Sequence, residues 1–258
     1  MTTAVSDTWF MTQRHLRNLF RQPAWILISL VQPVVWLLLY GALFRRIVEI
    51  PGFGAGSYID FLTPGIVVMT CLFGAGWSGM GLIDDLNRGV VDRFLVSPAS
   101  RGSLIAGRLV QGALVGMIQS AIIVVLGLLV GADYPGGIGG IVALTICAVL
   151  LGTGVGALSN GIALLSRREE TMIAVSNFVL LPLTFLSSVF MAQTLMPGWM
   201  QSVAKYNPVD WAVQAGREGL ASGPDWALVF SRMGWLLVFT VVCTWLATRA
   251  FRVYQKSI

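Results

Sequence analysis

The sequence predicts an all-α integral membrane protein with six transmembrane helices. Three observations carry that expectation. Of 258 residues, 56% are hydrophobic and 11% charged, and the mean hydropathy is +0.78; an ordinary soluble domain carries roughly 25% charged residues. The apolar residues fall into six runs of about 20, long enough at about 1.5 Å per residue to cross a hydrocarbon core of roughly 30 Å. The charges are confined to the short gaps between those runs. The pI near 9.5 and net charge of +5 therefore reflect membrane topology, and no nucleic-acid partner is expected.

In chain order, residues 6–22 read as an N-terminal amphipathic helix at the membrane surface. At 100° per residue Trp9, Leu16 and Phe20 share one side, while Arg14, Arg17, Asn18 and Arg21 gather on another. Pro23 closes it, and a tail without structure is the alternative. The expected spans are residues 24–44, 61–83, 109–130, 138–165, 171–191 and 229–248, within one domain covering residues 1–258. Pro33, beside Gln32, should bend the first span.

Between the second and third spans lies the longest charged interval, residues 84–108. Leu86, Val90 and Phe94 recur every four residues and would share one helical face. Asp84 and Arg88 stand four apart in the acid-before-base order that favours a surface helix. Pro98 ends the run, and Ser100 or Ser103 can cap the next helix. The interval reads either as a lever on the membrane surface, pushed by another protein, or as a solvated loop. As a lever, Asp84, Asp85, Arg88, Asp92 and Arg93 give it a mixed-charge face.

Orientation follows from the basic residues. With the N-terminus inside, Arg45, Arg46, Lys205, Arg217 and Arg232 lie outside and the other 12 of the 17 lie inside. Both termini and the lever then face the cytoplasm. The stretch 192–228 lies outside, and Pro197, Pro208 and Pro224 interrupt it. It reads either as a plain external loop or as two short helices, 197–206 and 209–221, dipping into the bilayer and back. Trp199 and Trp211 would anchor the two pieces at the interface, and Arg217 and Glu218 need water or partners.

Catalytic motifs fail in their context. Gly74, Gly76 and Gly79 spell G-x-G-x-x-G, but inside an apolar run, where glycines serve close helix packing. Gly112/Gly116, Gly127/Gly131 and Gly152/Gly156 are further small-xxx-small pairs. Neither lysine follows a glycine, so no phosphate-binding loop is present. His15 is the sole histidine, and Cys71, Cys147 and Cys243 lie apart in apolar runs as small hydrophobes. No catalytic residue, metal site or bound cofactor is expected. The neutral polar residues Gln32, Gln111, Gln119, Asn160 and Asn177 could line a substrate path or simply bond helices together.

Four segments carry a family resemblance: QPVVWLLLYGALF at 32–44, YIDFLTPGIVVM at 58–69, DRFLVSPASRGSLIAGR at 92–108 and YNPVDWAVQAGRE at 206–218. In this order they resemble the membrane subunit of type-2 ATP-binding-cassette exporters, of the daunorubicin-resistance type. The resemblance implies six spans, an N-terminal connecting helix and a re-entrant hairpin before the last span. It also implies a coupling helix over residues 84–95, received by a groove on a separate ATPase. The chain would be a non-catalytic permease in the bacterial plasma membrane. Its partners would be a second copy or close paralogue and two ATPase subunits, on which ATP and magnesium act. Asn207, Pro208, Trp211, Arg217 and Glu218, with Trp199, would form an outer gate. The expected cargo is a hydrophobic or amphipathic small molecule, drug-like or lipid-like. The alternative cargo is a polysaccharide or lipid-linked glycan. An intramembrane enzyme is disfavoured by the lack of acid, His or Cys clusters in the spans.

Overall fold

The computed structural model of the chain describes residues 23–50, 53, 56–88 and 101–256, with side chains for 28–50, 53, 56–88 and 106–251. The N-terminal amphipathic helix expected over 6–22 lies outside these residues. The described chain is helical throughout, without β-strands. The helices are α1 (Pro23–Leu43), α2 (Tyr58–Gly76), α3 (Ser78–Asn87), α4 (Arg101–Val130), α5 (Gly137–Ser166), α6 (Glu169–Phe185), α7 (Gly198–Ala204), α8 (Pro208–Leu220) and α9 (Trp226–Lys256).

Local chemistry sets their ends. The Ser57 side chain accepts the Ile59 N–H at 3.2 Å and starts α2. Gly131, at φ +100°, turns the chain out of α4, where the Ala132 N–H reaches back to the Gly127 carbonyl at 2.8 Å. Arg167, at φ 54°, closes α5 with its N–H on the Ala163 carbonyl, so Arg167 and Arg168 alone separate α5 from α6.

Four elements are long and apolar enough to cross a membrane: Tyr58–Asn87, Ala106–Val130, Gly137–Ser166 and Trp226–Phe251. They coincide with the expected second, third, fourth and sixth spans. α1, Pro23–Leu43, has 21 residues and is apolar along its length, and α6 has 17 residues, the short end of what can span. The fifth span, expected over 171–191, stops at Phe185. The last α-helical bond runs from the Leu186 N–H to the Pro182 carbonyl; the Ser187 N–H then turns to the Thr184 carbonyl at 3.3 Å, and 186–191 forms turns.

The second element also differs from expectation, for it is broken at Trp77 into α2 and α3. Asp84 to Asn87 therefore do not begin a separate surface helix; they finish one that starts inside the span.

The centre of the molecule is α5, which packs against α2, α3, α4, α6, α8 and α9. Leu144, Cys147, Ala148 and Leu151 are buried along it. Close approach is possible because α5 is rich in glycine. A Cβ on Gly140 would overlap the Gly219 carbonyl of α8, and one on Gly152 would meet the Cys71 carbonyl of α2 at 3.3 Å. Of the other predicted pairs, Gly116, Gly127 and Gly156 face neighbouring helices, whereas Gly112 and Gly131 have nothing within 4 Å. Large apolar side chains point outward instead: Leu39 on α1, Leu129 on α4, Phe178 on α6, and Trp235, Val241 and Trp245 on α9. Such surfaces suit hydrocarbon as solvent.

Candidate functional site

The described lever residues lie at one end of the α2–α3 element, and Arg217 of the hairpin meets its other end at Phe61. At the lever end, Asp84 and Arg88 are exposed, and Asp85 and Leu86 are half-buried. Arg108, in α4, forms an ion pair with Asp85 and donates to the Gly81 carbonyl at 2.9 Å. This clasp ties together the two helices that border residues 89–100. Leu86 packs on the cluster of Leu82, Ile83, Leu164, Met172 and Phe251, so its apolar contacts lie within the chain. Val90, Asp92, Arg93 and Phe94 lie outside the described residues.

At the hairpin end, two short helices occupy much of the stretch predicted for them, and α8 is folded onto α2, α5 and α9. Its face of Val209, Ala212, Val213, Ala215 and Leu220 is buried. Asn207 is the organiser. Its side-chain oxygen accepts the Val209 N–H at 2.9 Å and caps α8. Its amide donates to the Leu183 and Leu186 carbonyls at 2.7 and 3.0 Å, where α6 ends. Pro208 then takes the first helical position, which needs no N–H donor.

Trp211 donates its indole N–H to the Lys205 carbonyl at 2.8 Å and lies 6.2 Å from the Trp235 ring. Trp199 is exposed. Arg217 donates to the Phe61 carbonyl at 3.0 Å and to the Val189 carbonyl at 3.1 Å, with its guanidinium 3.4 Å above the Phe61 ring. The contacts around this charge are backbone dipoles and an aromatic face. Glu218 accepts the Asp225 N–H at 3.0 Å.

Sequence reasoning missed Asp210. It is fully buried, accepting from the Ser188 N–H at 2.8 Å and from the Gln193 and Gln214 amides at 3.0 and 2.6 Å. Its position was available as a signal, since it stands third after the Asn207 cap, where an acid favours a helix start, with Gln214 four residues on. Burial against the 186–191 turns was not readable, because those residues were expected to be helix.

The five neutral polar residues do not converge. Gln119 donates to Ser29 at 2.9 Å, and Asn160 donates to Ser78 at 3.1 Å and Gly156 at 2.7 Å. Both thus bond helices together. Gln32 and Asn177 are exposed, and Gln111 is half-buried.

The family model for ABC-2 type transporters matches residues 6–221. The chain belongs to the ABC-2 type transporter family. Similar proteins include the daunorubicin resistance ABC transporter permease protein DrrB1 of Streptomyces coeruleorubidus, 31% identical over 84% of this chain and 75% of that protein. The transport permease ycf38 of Porphyra purpurea is 30% identical over 84% and 74%. The inner membrane transport permease YadH of Escherichia coli K12 is 28% identical over 83% of each chain. An ABC-2 permease implies an ATPase partner, and these relatives are permease subunits, which are not catalytic.

Proposed function

We propose that this ABC-2 permease is the membrane half of an ATP-driven exporter that moves hydrophobic or amphipathic small molecules out of the cytoplasm or inner leaflet. It pairs with a second copy or a close paralogue and with two ATPase subunits. The observation that carries the mechanism is the α2–α3 element, which meets the clasped lever at one end and Arg217 of the hairpin at the other. The cargo class is supported by the likeness to a daunorubicin-resistance permease and by the neutral interior of the spans.

In this reading α1 and α6 complete six spans, both termini are cytoplasmic in a bacterial plasma membrane, and α7–α8 is a re-entrant hairpin that closes the outer end. Residues 84–95 are the contact with the ATPase. ATP with magnesium is bound by that partner, and closure of the partner pushes the lever. The push can shift the permease only by as much as the partner's affinity differs between the two states. The displaced α3 then acts on the bundle around α5, and the outer hairpin loses its support on α2.

The test is reconstitution of the permease and its ATPase in liposomes with a panel of amphipathic compounds and glycans. Stimulation of ATP hydrolysis by amphipathic compounds, lost on changing the lever, is the expected result. Stimulation by glycans alone would overturn the cargo class.

A further inference from the structure

The break at Trp77 leaves backbone groups without helical partners, and the fold supplies others. In an unbroken helix the Gly76 carbonyl would accept the Met80 N–H, and the Gly79 N–H would reach the Ala75 carbonyl. Here the Met80 N–H bonds to the Trp77 carbonyl instead, at 3.1 Å. The Ser159 hydroxyl of α5 takes both freed groups. It donates to the Gly76 carbonyl at 2.6 Å and accepts the Gly79 N–H at 3.0 Å. Ser176 of α6 adds a second donor to Gly76 at 3.2 Å. Such replacement is required of any broken helix within a bilayer.

The approach is close: a Cβ on Gly79 would stand 2.6 Å from the Ser159 carbonyl oxygen. Beside this junction, the buried Asn160 side-chain oxygen has no hydrogen-bond partner among the described residues.

The geometry points to Ser159 as a positioning residue that pins a two-state hinge. In one state α2 and α3 are broken and Ser159 holds Gly76 and Gly79. In the other the helix is continuous, Gly79 bonds Ala75, Gly76 bonds Met80, and Ser159 is released. The exchange conserves backbone hydrogen bonds, so neither state strands one in the bilayer. Because α3 carries Asp84, Asp85 and Leu86, a push on the lever would be converted at Trp77 into a helix rearrangement, a discrete switch and not a gradual bend. The inference rests on the lever being the ATPase contact.

The test is hydrogen–deuterium exchange of the peptide covering residues 75–82, in the full permease with its ATPase in lipid nanodiscs. Without nucleotide, Ser159→Ala should speed exchange about tenfold, the effect of losing roughly one hydrogen bond. After trapping with ADP and vanadate the variant and the wild type should converge, because the continuous helix no longer uses Ser159. A fixed brace would give the same difference in both states, and that result, or no difference in either, overturns the hinge. Exchange over residues 84–95 is read in the same run. If the ATPase protects this segment and the hinge peptide fails to converge, only the hinge is wrong. If 84–95 is never protected, the lever reading falls and takes the hinge with it. Should Ser159→Ala not assemble, Ser159→Cys, a weaker partner of similar size, should give partial loss of protection without nucleotide and the same convergence.

Discussion

Replacing Asn207 by alanine should be the most damaging polar truncation in the hairpin. The side chain is 4% exposed and makes three bonds, one capping α8 and two holding the end of α6. Loss of a helix cap costs about 1 kcal/mol. Each carbonyl left unpaired costs at least about 1 kcal/mol, so the expected loss is about 3 kcal/mol. For a chain of this size that corresponds to a fall of roughly 6–12 °C in melting temperature. The assay is thermal unfolding of the detergent-solubilised permease, followed by size-exclusion chromatography with fluorescence detection. Asn207→Ser keeps an oxygen able to cap and should recover about a third of the loss. An alanine variant melting within about 2 °C of wild type would refute the claim that Asn207 joins the hairpin to α6.

Other expectations bear on the lever, the packing and the topology. Phe94→Ala should lose a buried anchor contact of roughly 2–4 kcal/mol, so that the ATPase no longer co-purifies while membrane insertion stays normal; full retention of partner and transport would remove the coupling role from this segment. Gly140→Ala must push α5 away from the Gly219 carbonyl and should destabilise by about 1–3 kcal/mol, whereas Gly112→Ala, inside α4, meets nothing within 4 Å and should stabilise the isolated protomer by about 0.5–1 kcal/mol. A cysteine at Ser202 should react with a membrane-impermeant reagent in intact cells and one at the exposed Glu169 should not; the reverse pattern would invert the orientation.

How far the sequence could be read depended on whether a feature was written in local pattern or in distant contact. The four long spans were legible because apolar length and confined charge are local properties, and α7 and α8 because prolines and Asn207 punctuate them. The break at Trp77 was not legible. The sequence there, Gly76-Trp77-Ser78-Gly79, contains nothing that forces a break, and the residue that stabilises one, Ser159, is 80 residues from Gly79. The end of α6 was misplaced for a related reason: 186–191 is apolar enough to continue a helix, and its turns are held by Asn207 and Asp210. Gln119 and Asn160 could not be assigned between lining a path and bonding helices, since both uses need the same residue types at the same depth.

Arg217 bears on how the molecule is built during synthesis. Its contact at Phe61 lies 156 residues earlier and its contact at Val189 lies 28 residues earlier. The Gly136 N–H likewise waits for the Leu220 carbonyl, at 3.0 Å. Helices that emerge first therefore insert with part of their packing surface still unoccupied, and α8 fills it near the end of translation. The order of manufacture thus makes docking of α8 depend on the earlier correct placement of Phe61 in α2 and of Gly140 and Leu144 in α5.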